Sequence, residues 1–425
     1  MALMSWEQRY RLLSTFRTSL VLWAGLALAL ALGCAPLVRW LDRETGYVIF
    51  GFSPDGARAV LGALASSMLT FIVFVLSATL IVVQLASGQL TPRVIAFVFA
   101  LPWVRLTLAL FTFTYTFTLS ALARVEQAVP DLLVGVAVLL NLACIVAFFL
   151  FVQRLSAGLR PSTIMQSVAV RGRQVIEQVY PMAYDPGVPE QTETTIHPHM
   201  PTQEVEFTGR TGVILAFSLA HLTRLAREAD VVIELVPQVG DSIGPGDLLF
   251  RVFGGVKLSP YALRRCVAVG AERTLEQDPR FVFRILVDIA SRALSPAVND
   301  PTTAVLALDQ IDNLLLFLGR RRLDEGAGRD NEGKVRVIYG TPDWPDYVLL
   351  AVGEIRQYGA GSIQVDRRLR AMLERLILKL PEDRRSPLEG ELSLLRKAVE
   401  RGFRDEEDRK RAAVADYQGV GGSES

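Results

Sequence analysis

Two sets of side chains in this sequence have types and spacings that could do chemistry. The first lies inside long apolar runs. Thr70, Ser77 and Gln84 recur every seven residues, and Thr112, Thr114, Thr116 and Thr118 alternate with aromatic residues from Phe111 onward. Seven residues is two helical turns, so the first three share a helix face. The alternating stretch looks like a strand, but an isolated strand cannot satisfy its backbone in lipid. As a helix it puts Thr112 and Thr116 on one face and Thr114 and Thr118 on another. Hydroxyls in such a setting either hold helices together or line a path for an ion or small solute. No Asp, Glu, Lys, Arg or His sits in the middle of any of these runs. That disfavours a proton relay or a charged-substrate pump, whereas a channel needs no such residue.

The second set is the turn from Ser295 to Thr303. Asp300 before Pro301 reads as an N-cap followed by proline at the first helical position. The free N–H groups and partial positive charge of a helix start suit a phosphate or carboxylate. Arg273, Arg292, Ser295, Asn299, Asp300, Thr302 and Thr303 therefore form a candidate site for a small anionic effector. The competing reading is structural: Asp300 occupies those N–H groups itself, and the stretch is an interhelical turn.

Other chemistry has little support. The three histidines are His197, His199 and His221, and the first two lie in a loop rich in Pro and Thr. A two-residue His spacing needs further ligands to hold a metal, so no metal site is assigned. The three cysteines, Cys34, Cys144 and Cys266, form no C-x-x-C pair and read as small buried hydrophobes. A G-x-S-x-G elbow, a P-loop and an H-E-x-x-H are all missing from the chain, so no catalytic residue and no cofactor is assigned, and an enzyme is disfavoured.

The elements that must position these residues are of two kinds. Of the 425 residues 51% are hydrophobic and 21% charged, with the charges concentrated beyond residue 152. Four apolar runs, at about 19–38, 60–86, 106–123 and 132–152, match the length needed to cross a hydrocarbon core roughly 30 Å thick. The sequence predicts a four-helix transmembrane domain over 1–153, with an interfacial helix at about 92–102 that starts at Thr91-Pro92. Ala31-Leu32-Gly33-Cys34 loosely resembles a lipoprotein cleavage box, but the run is longer than a signal peptide's apolar core and reads as a retained span.

Arg9, Arg11 and Arg17 precede the first run, and Arg154, Arg160, Arg171 and Arg173 follow the fourth. An even number of spans with this basic bias places both termini in the cytoplasm. A net charge of +1 argues against a nucleic-acid partner. Beyond the spans, a connecting helix and loop is expected at 154–203, a small β-rich module at 204–258, a mainly helical cytoplasmic region at 259–404 and a disordered tail at 405–425. The fold class is thus membrane α-helical plus a cytoplasmic α/β domain.

Two resemblances follow from particular residues. Val239-Gly240-Asp241 through Gly246-Asp247 and on to Val252, with its repeated Gly-Asp turns, resembles the barrel-sandwich element of biotinyl, lipoyl and membrane-fusion proteins. Lys257 falls outside the hairpin tip where a carrier would present its lysine. Over nearly the whole chain, the four runs, the Gln84-x-x-Ser87-x-Gln89-x-x-Pro92-Arg93 segment and the stretch from Ala293 to Ala304 resemble the DUF2254 family of bacterial predicted membrane proteins. That resemblance implies a bacterial inner-membrane location and supplies no activity. The reading favoured by the sequence is a homo-oligomeric, channel-like protein in the lipid bilayer, gated by its cytoplasmic domain. Four helices alone enclose little space, so a pore would form between subunits. The alternative is a membrane-anchored sensor or scaffold without transport.

Overall fold

The computed structural model describes residues 19–45, 50–89, 102–126, 129–158, 160–186, 200–323 and 326–421. The expected interfacial helix at 92–102 lies, but for its last residue, outside the described residues, as do His197, His199 and the N-terminal arginines. The chain divides into two units, Leu12–Arg160 and, for the part after the spans, Pro161–Ser425.

The first unit is built from α1 (Leu20–Thr45), α2 (Pro54–Gln89), α3 (Pro102–Leu122) and α4 (Asp131–Gly158). Among the described residues, α1, Pro54–Gln84 of α2 and Asp131–Leu155 of α4 are long and apolar enough to cross a membrane. The third expected run forms α3, which threads among the others. Small residues decide this packing. Ala27, Ala31 and Ala35 recur every four residues along α1 and are buried, and Ala31 and Ala35 share a cluster with Phe117 and Ala121 of α3. Helix α1 runs unbroken through Ala31–Cys34. At one end polar groups replace lipid-like contacts: Asp42 accepts from the Leu132 amide at 2.7 Å, and Arg58 donates to the Val125 carbonyl at 3.1 Å.

The second unit carries two sheets and a helical layer. Strands β1 (Gln203–Glu206), β5 (Leu248–Phe253), β3 (Val232–Leu235), β8 (Val335–Tyr339) and β7 (Ala327–Arg329) form one sheet in that spatial order. Strands β4 (Ser242–Ile243), β2 (Gly212–Phe217) and β6 (Val267–Gly270) form the other. Both sheets feed one core around Ile214, Ile233, Phe250 and Val337. The Gly-Asp turns form as expected. Gly240 and Gly246 both have positive φ, and Asp241 and Asp247 accept backbone N–H bonds from Gln238 and Gly244.

The module does not close at residue 258, however. Its larger sheet takes in β7 and β8 from the region expected to be mainly helical, where the sequence predicts a short strand at 334–339, and that strand, β8, pairs parallel to β3. A parallel partner must arrive by a long crossover, so local periodicity can show the strand but not the sheet it joins.

The helical layer contains α6 (Leu219–Glu228), α7 (Pro260–Arg264), α8 (Pro279–Ala293), α9 (Pro301–Leu318), α10 (Trp344–Tyr358), α11 (Ile363–Lys379), α12 (Arg385–Gly402) and α13 (Glu406–Ala412). Helix α5 (Pro161–Val179), expected as a connector, belongs to this core. Its Met165, Val168, Gly172, Val175 and Ile176 are buried. A side chain at position 172 would collide with Val282 of α8. The tail is ordered as far as Gly421: Asp416 accepts from the amides of Gln418, Gly419 and Gly421, and Arg367 of α11 holds the Val414 carbonyl. A carboxylate that gathers three amides supplies a local order which a charged, Gly-rich composition conceals.

Candidate functional site

The hydroxyl residues of the apolar helices do not converge. Thr70, Ser77 and Gln84 do share a face, but it is the exposed face of α2. The inward face carries Leu61, Met68, Val75 and Thr79. Thr70 returns its hydroxyl to the Ser66 carbonyl at 3.1 Å, and Thr112 does the same to Leu108 at 2.8 Å. Thr116 is half-buried. Thr114 and Thr118 are fully buried and face α4, where Cys144 donates to the Thr114 hydroxyl at 3.2 Å and Asn141 to Thr118 at 3.0 Å. Helical period shows which residues share a face, whereas the neighbouring helices decide which way that face turns.

The Ser295–Thr303 set is also divided. Asp300 caps α9, accepting from the Thr303 amide at 3.1 Å and the Thr303 hydroxyl at 2.6 Å. Its own amide donates to the Ala293 carbonyl at the end of α8. Asn299 takes the left-handed conformation that closes the turn, Ser295 donates to the Arg292 carbonyl, and Thr302 is exposed. Arg273 lies before α8 and the turn after it, about 22 Å apart along a 15-residue helix. There Arg273 donates to the Gly240 carbonyl at 2.6 and 3.0 Å. The turn is therefore a capped helix–helix joint, and the anion cradle expected there is filled by the chain's own carboxylate.

What the second unit does form is a cleft of about 270 Å³. Its lining comes from six separate segments: Tyr180 just past α5, Phe217 at the end of β2, the Gln238–Val239 turn, the start of α8, the loop after β8, and Tyr347 of α10. Each is placed for a local reason. Asp278 is the N-cap of α8, with Oδ1 accepting from the Phe281 amide at 3.0 Å and Pro279 at the first helical position. The neighbouring Gln277 accepts from the Phe217 amide at 3.2 Å, which ties α8 to the end of β2. Gly340 lets Gln238 lie across it, since a Cβ there would come within 2.6 Å of the Gln238 side chain. Arg280 donates to Gln238 Oε1 at 3.3 Å.

The electrostatics of the cleft are distinctive. Asp278 is 4% exposed, and its Oδ2 has no hydrogen-bond partner; the Arg273 guanidinium stands 4.0 Å away. Burial pushes this carboxyl above the usual carboxylate range, against the opposing pull of the Phe281 amide, Arg273 and Arg280. Behind it, the buried Tyr180 and Tyr347 hydroxyls share a hydrogen bond of 3.0 Å. Burial, with Tyr180 and Asp278 adding to it, pushes the Tyr347 phenol well up, so it stays protonated. Phe217 and Tyr339 meet edge to face at 4.9 Å between ring centres. Aromatic edges, carboxamides, a cation and an under-bonded carboxyl together suit recognition of a small polar molecule.

His221 is engaged with Ser218, at 2.7 Å through Nδ1. Among the described residues, no group of three or more His, Cys, Asp or Glu is arranged to hold a metal. The cleft residues escape sequence reasoning because none stands in a motif. The Asp278-Pro279 cap, of the same form as Asp300-Pro301, was the one available signal.

An apolar helical unit joined to a mixed α/β unit defines a membrane protein with a large polar domain. The chain belongs to the family described as "Predicted membrane protein (DUF2254)", whose model matches residues 17–375. Similar proteins include the uncharacterized proteins Rv1290c of Mycobacterium tuberculosis and Mb1321c of Mycobacterium bovis. Each is 29% identical over 401 residues, covering 90% of this chain and 76% of the relative. No solved structure matches the chain with significance.

Proposed function

We propose that this protein is a membrane-anchored sensor whose second unit binds a small polar ligand in the cleft beside Asp278. In this reading the helices hold the protein in a bacterial inner membrane by four spans, with both termini in the cytoplasm. The observation that carries it is the contrast in polar groups. Thr114, Thr118, Asn141 and Cys144 bond one another and leave Asn141 Oδ1 unpaired between helices, whereas the unpaired Oδ2 belongs, in Asp278, to a residue that lines a cleft. A second reading, solute passage between chains of a homo-oligomer, draws on the outward turn of Thr70, Ser77 and Gln84.

The test pairs two measurements on the full chain. A thermal-shift screen of small polar metabolites is expected to find a compound that stabilises the wild type and loses its effect in Asp278→Asn and Gly340→Val. Ion flux from liposomes is expected to stay at background for wild type and for Gln84→Leu. Flux that Gln84→Leu alters, with no stabilising compound, would overturn the sensor reading in favour of passage between chains.

A further inference from the structure

At one end of the five-stranded sheet, large apolar side chains are held outward. Met200 is 93% exposed, Tyr261 68% and Val256 53%. They come from three segments: the residues before β1, the loop after β5, and helix α7. Hydrogen bonds draw these segments together. The Thr202 amide donates to the Val252 carbonyl at 2.8 Å, and the Thr202 hydroxyl donates to the Gly254 carbonyl. The Gln203 carboxamide takes both polar groups of Leu258, accepting from its amide at 2.8 Å and donating to its carbonyl at 2.9 Å. Leu258 itself packs on the core of the two sheets. Arg264 of α7 donates to the Glu206 carbonyl at 2.8 and 2.9 Å, which fixes α7 beside β1. Single apolar residues on a surface are ordinary, whereas several on one braced rim, with Pro260 exposed beside them, mark a contact surface.

The charge around this rim narrows the partner. No acid occurs from Leu248 to Ala271, a stretch that holds Arg251, Lys257, Arg264 and Arg265. Arg265 stands over the Tyr261 ring at 5.3 Å, and Lys257 is exposed next to Val256. Adjoining segments bring carboxylates, and most are answered. Glu204 and Glu234 share Arg251, at 3.6 and 3.2 Å. Asp230 is held by Arg336 and Lys334. Glu228 follows Arg224 and Arg227 on α6, and Glu206 is exposed on β1. Leaving aside Asp230 and its partners, six cations face four carboxylates, so the balance is positive. Methionine, valine and tyrosine at the centre, with lysine and arginine at their flanks, match the boundary of a bilayer with anionic headgroups: the apolar groups enter the acyl edge, and the cations stay among the phosphates. Such a surface is always within reach, because Pro161 of this unit directly follows the apolar unit that ends at Arg160.

We infer that the rim formed by Met200, Val256 and Tyr261 docks on the anionic lipid surface of the membrane that anchors the protein. This inference does not depend on the ligand of the cleft.

The test uses the full chain in nanodiscs, with an environment-sensitive fluorophore on Val256→Cys and quencher-bearing phospholipid in the disc. Cys144 and Cys266 are buried and Cys34 is half-buried, and labelled wild type sets the background. Strong quenching is expected in discs containing anionic phospholipid, with much less in neutral discs or at high salt. The same label on Leu378→Cys, at an exposed apolar position of α11, should report no dependence on lipid. Lys257→Gln and Arg265→Gln should each lower the ratio of docked to undocked protein about fivefold. Quenching at the Val256 site that matches the Leu378 site, or that the two charge substitutions leave unchanged, would overturn the inference. So would absence of quenching in anionic discs, which would give the rim to a protein partner instead. An unchanged thermal midpoint in each variant separates lost docking from lost folding.

Discussion

The two units solve opposite solvation problems with the same residue types. In the helical unit large apolar side chains point outward: Leu22, Leu80, Leu142 and Phe149 are all exposed. The buried polar groups described there are short, and Thr79, Thr118, Asp131 and Asn141 bond a neighbour or their own helix, with one oxygen each of Asp131 and Asn141 left unpaired. In the second unit apolar side chains fill the core, and long charged residues are buried in pairs. Arg368 bonds Asp309 at 2.7 Å and Asp312 at 2.9 Å, Arg375 meets Asp312 at 2.7 Å, and Arg356 meets Glu391 at 2.8 Å. Lipid tolerates no such pairs cheaply, whereas a water-exposed domain can assemble them at helix crossings. The difference teaches that helix specificity comes from small residues and hydroxyls in one unit and from ion pairs in the other.

That comparison can be broken most severely at Asp312. Asp312→Ala leaves Arg368 buried beside a single remaining carboxylate and is expected to destabilise the second unit by about 3–5 kcal/mol. Hydrogen exchange across α9 and α11 would show the loss, with α1–α4 unaffected.

Asp366 sharpens the comparison by failing to fit it. It is 1% exposed with neither carboxylate oxygen hydrogen-bonded by a side chain, and burial pushes it from near 3.8 up to about 7, against the Gly361 amide and Arg370. The folded state therefore holds this proton more tightly than the unfolded state does. Stability contributed by the protonated form is present below about pH 4 and is lost as pH rises to about 7. Asp366→Asn should stabilise the protein at pH 8 by on the order of 3–4 kcal/mol and leave it unchanged at pH 4. Chemical denaturation at the two pH values decides it.

Smaller effects follow at the two helix joints. Asp300→Ala removes the cap of α9 and should cost about 1 kcal/mol in the same denaturation measurement. An effect of several kcal/mol would mean that the turn does more than join helices. Asn141→Leu should cost least, about 0.6 kcal/mol, because the bond to Thr118 competes with other partners inside the bilayer. A far larger loss, seen as aggregation in detergent, would contradict the packing role given to these hydroxyls.

Much of the architecture was legible in the chain itself. Three of the four apolar runs form helices long and apolar enough for a bilayer, and the Asp300-Pro301 cap and the Gly-Asp turns at 240 and 246, local patterns like them, form where their residues predict. The orientation of faces was not legible. The seven-residue spacing of Thr70, Ser77 and Gln84 correctly joins them, yet nothing local says that Ala27, Ala31 and Ala35 bring α3 to the other side. The cleft was illegible for a related reason, since Tyr180, Gln238, Asp278 and Tyr347 are scattered over more than 160 positions.

By itself, then, the sequence determined the class of this protein. Hydropathy and the cost of unpaired backbone in lipid leave an apolar chain segment no choice but helix, and membership of the DUF2254 family agrees with that outcome. Only the tertiary structure decided which polar groups meet. It paired β8 with β3 from a hundred residues away, turned the hydroxyls of α2 outward, left Asp278 under-bonded at a cleft, and set Met200, Val256 and Tyr261 along one rim. Such juxtapositions depend on contacts between distant segments, and local periodicity carries no record of them.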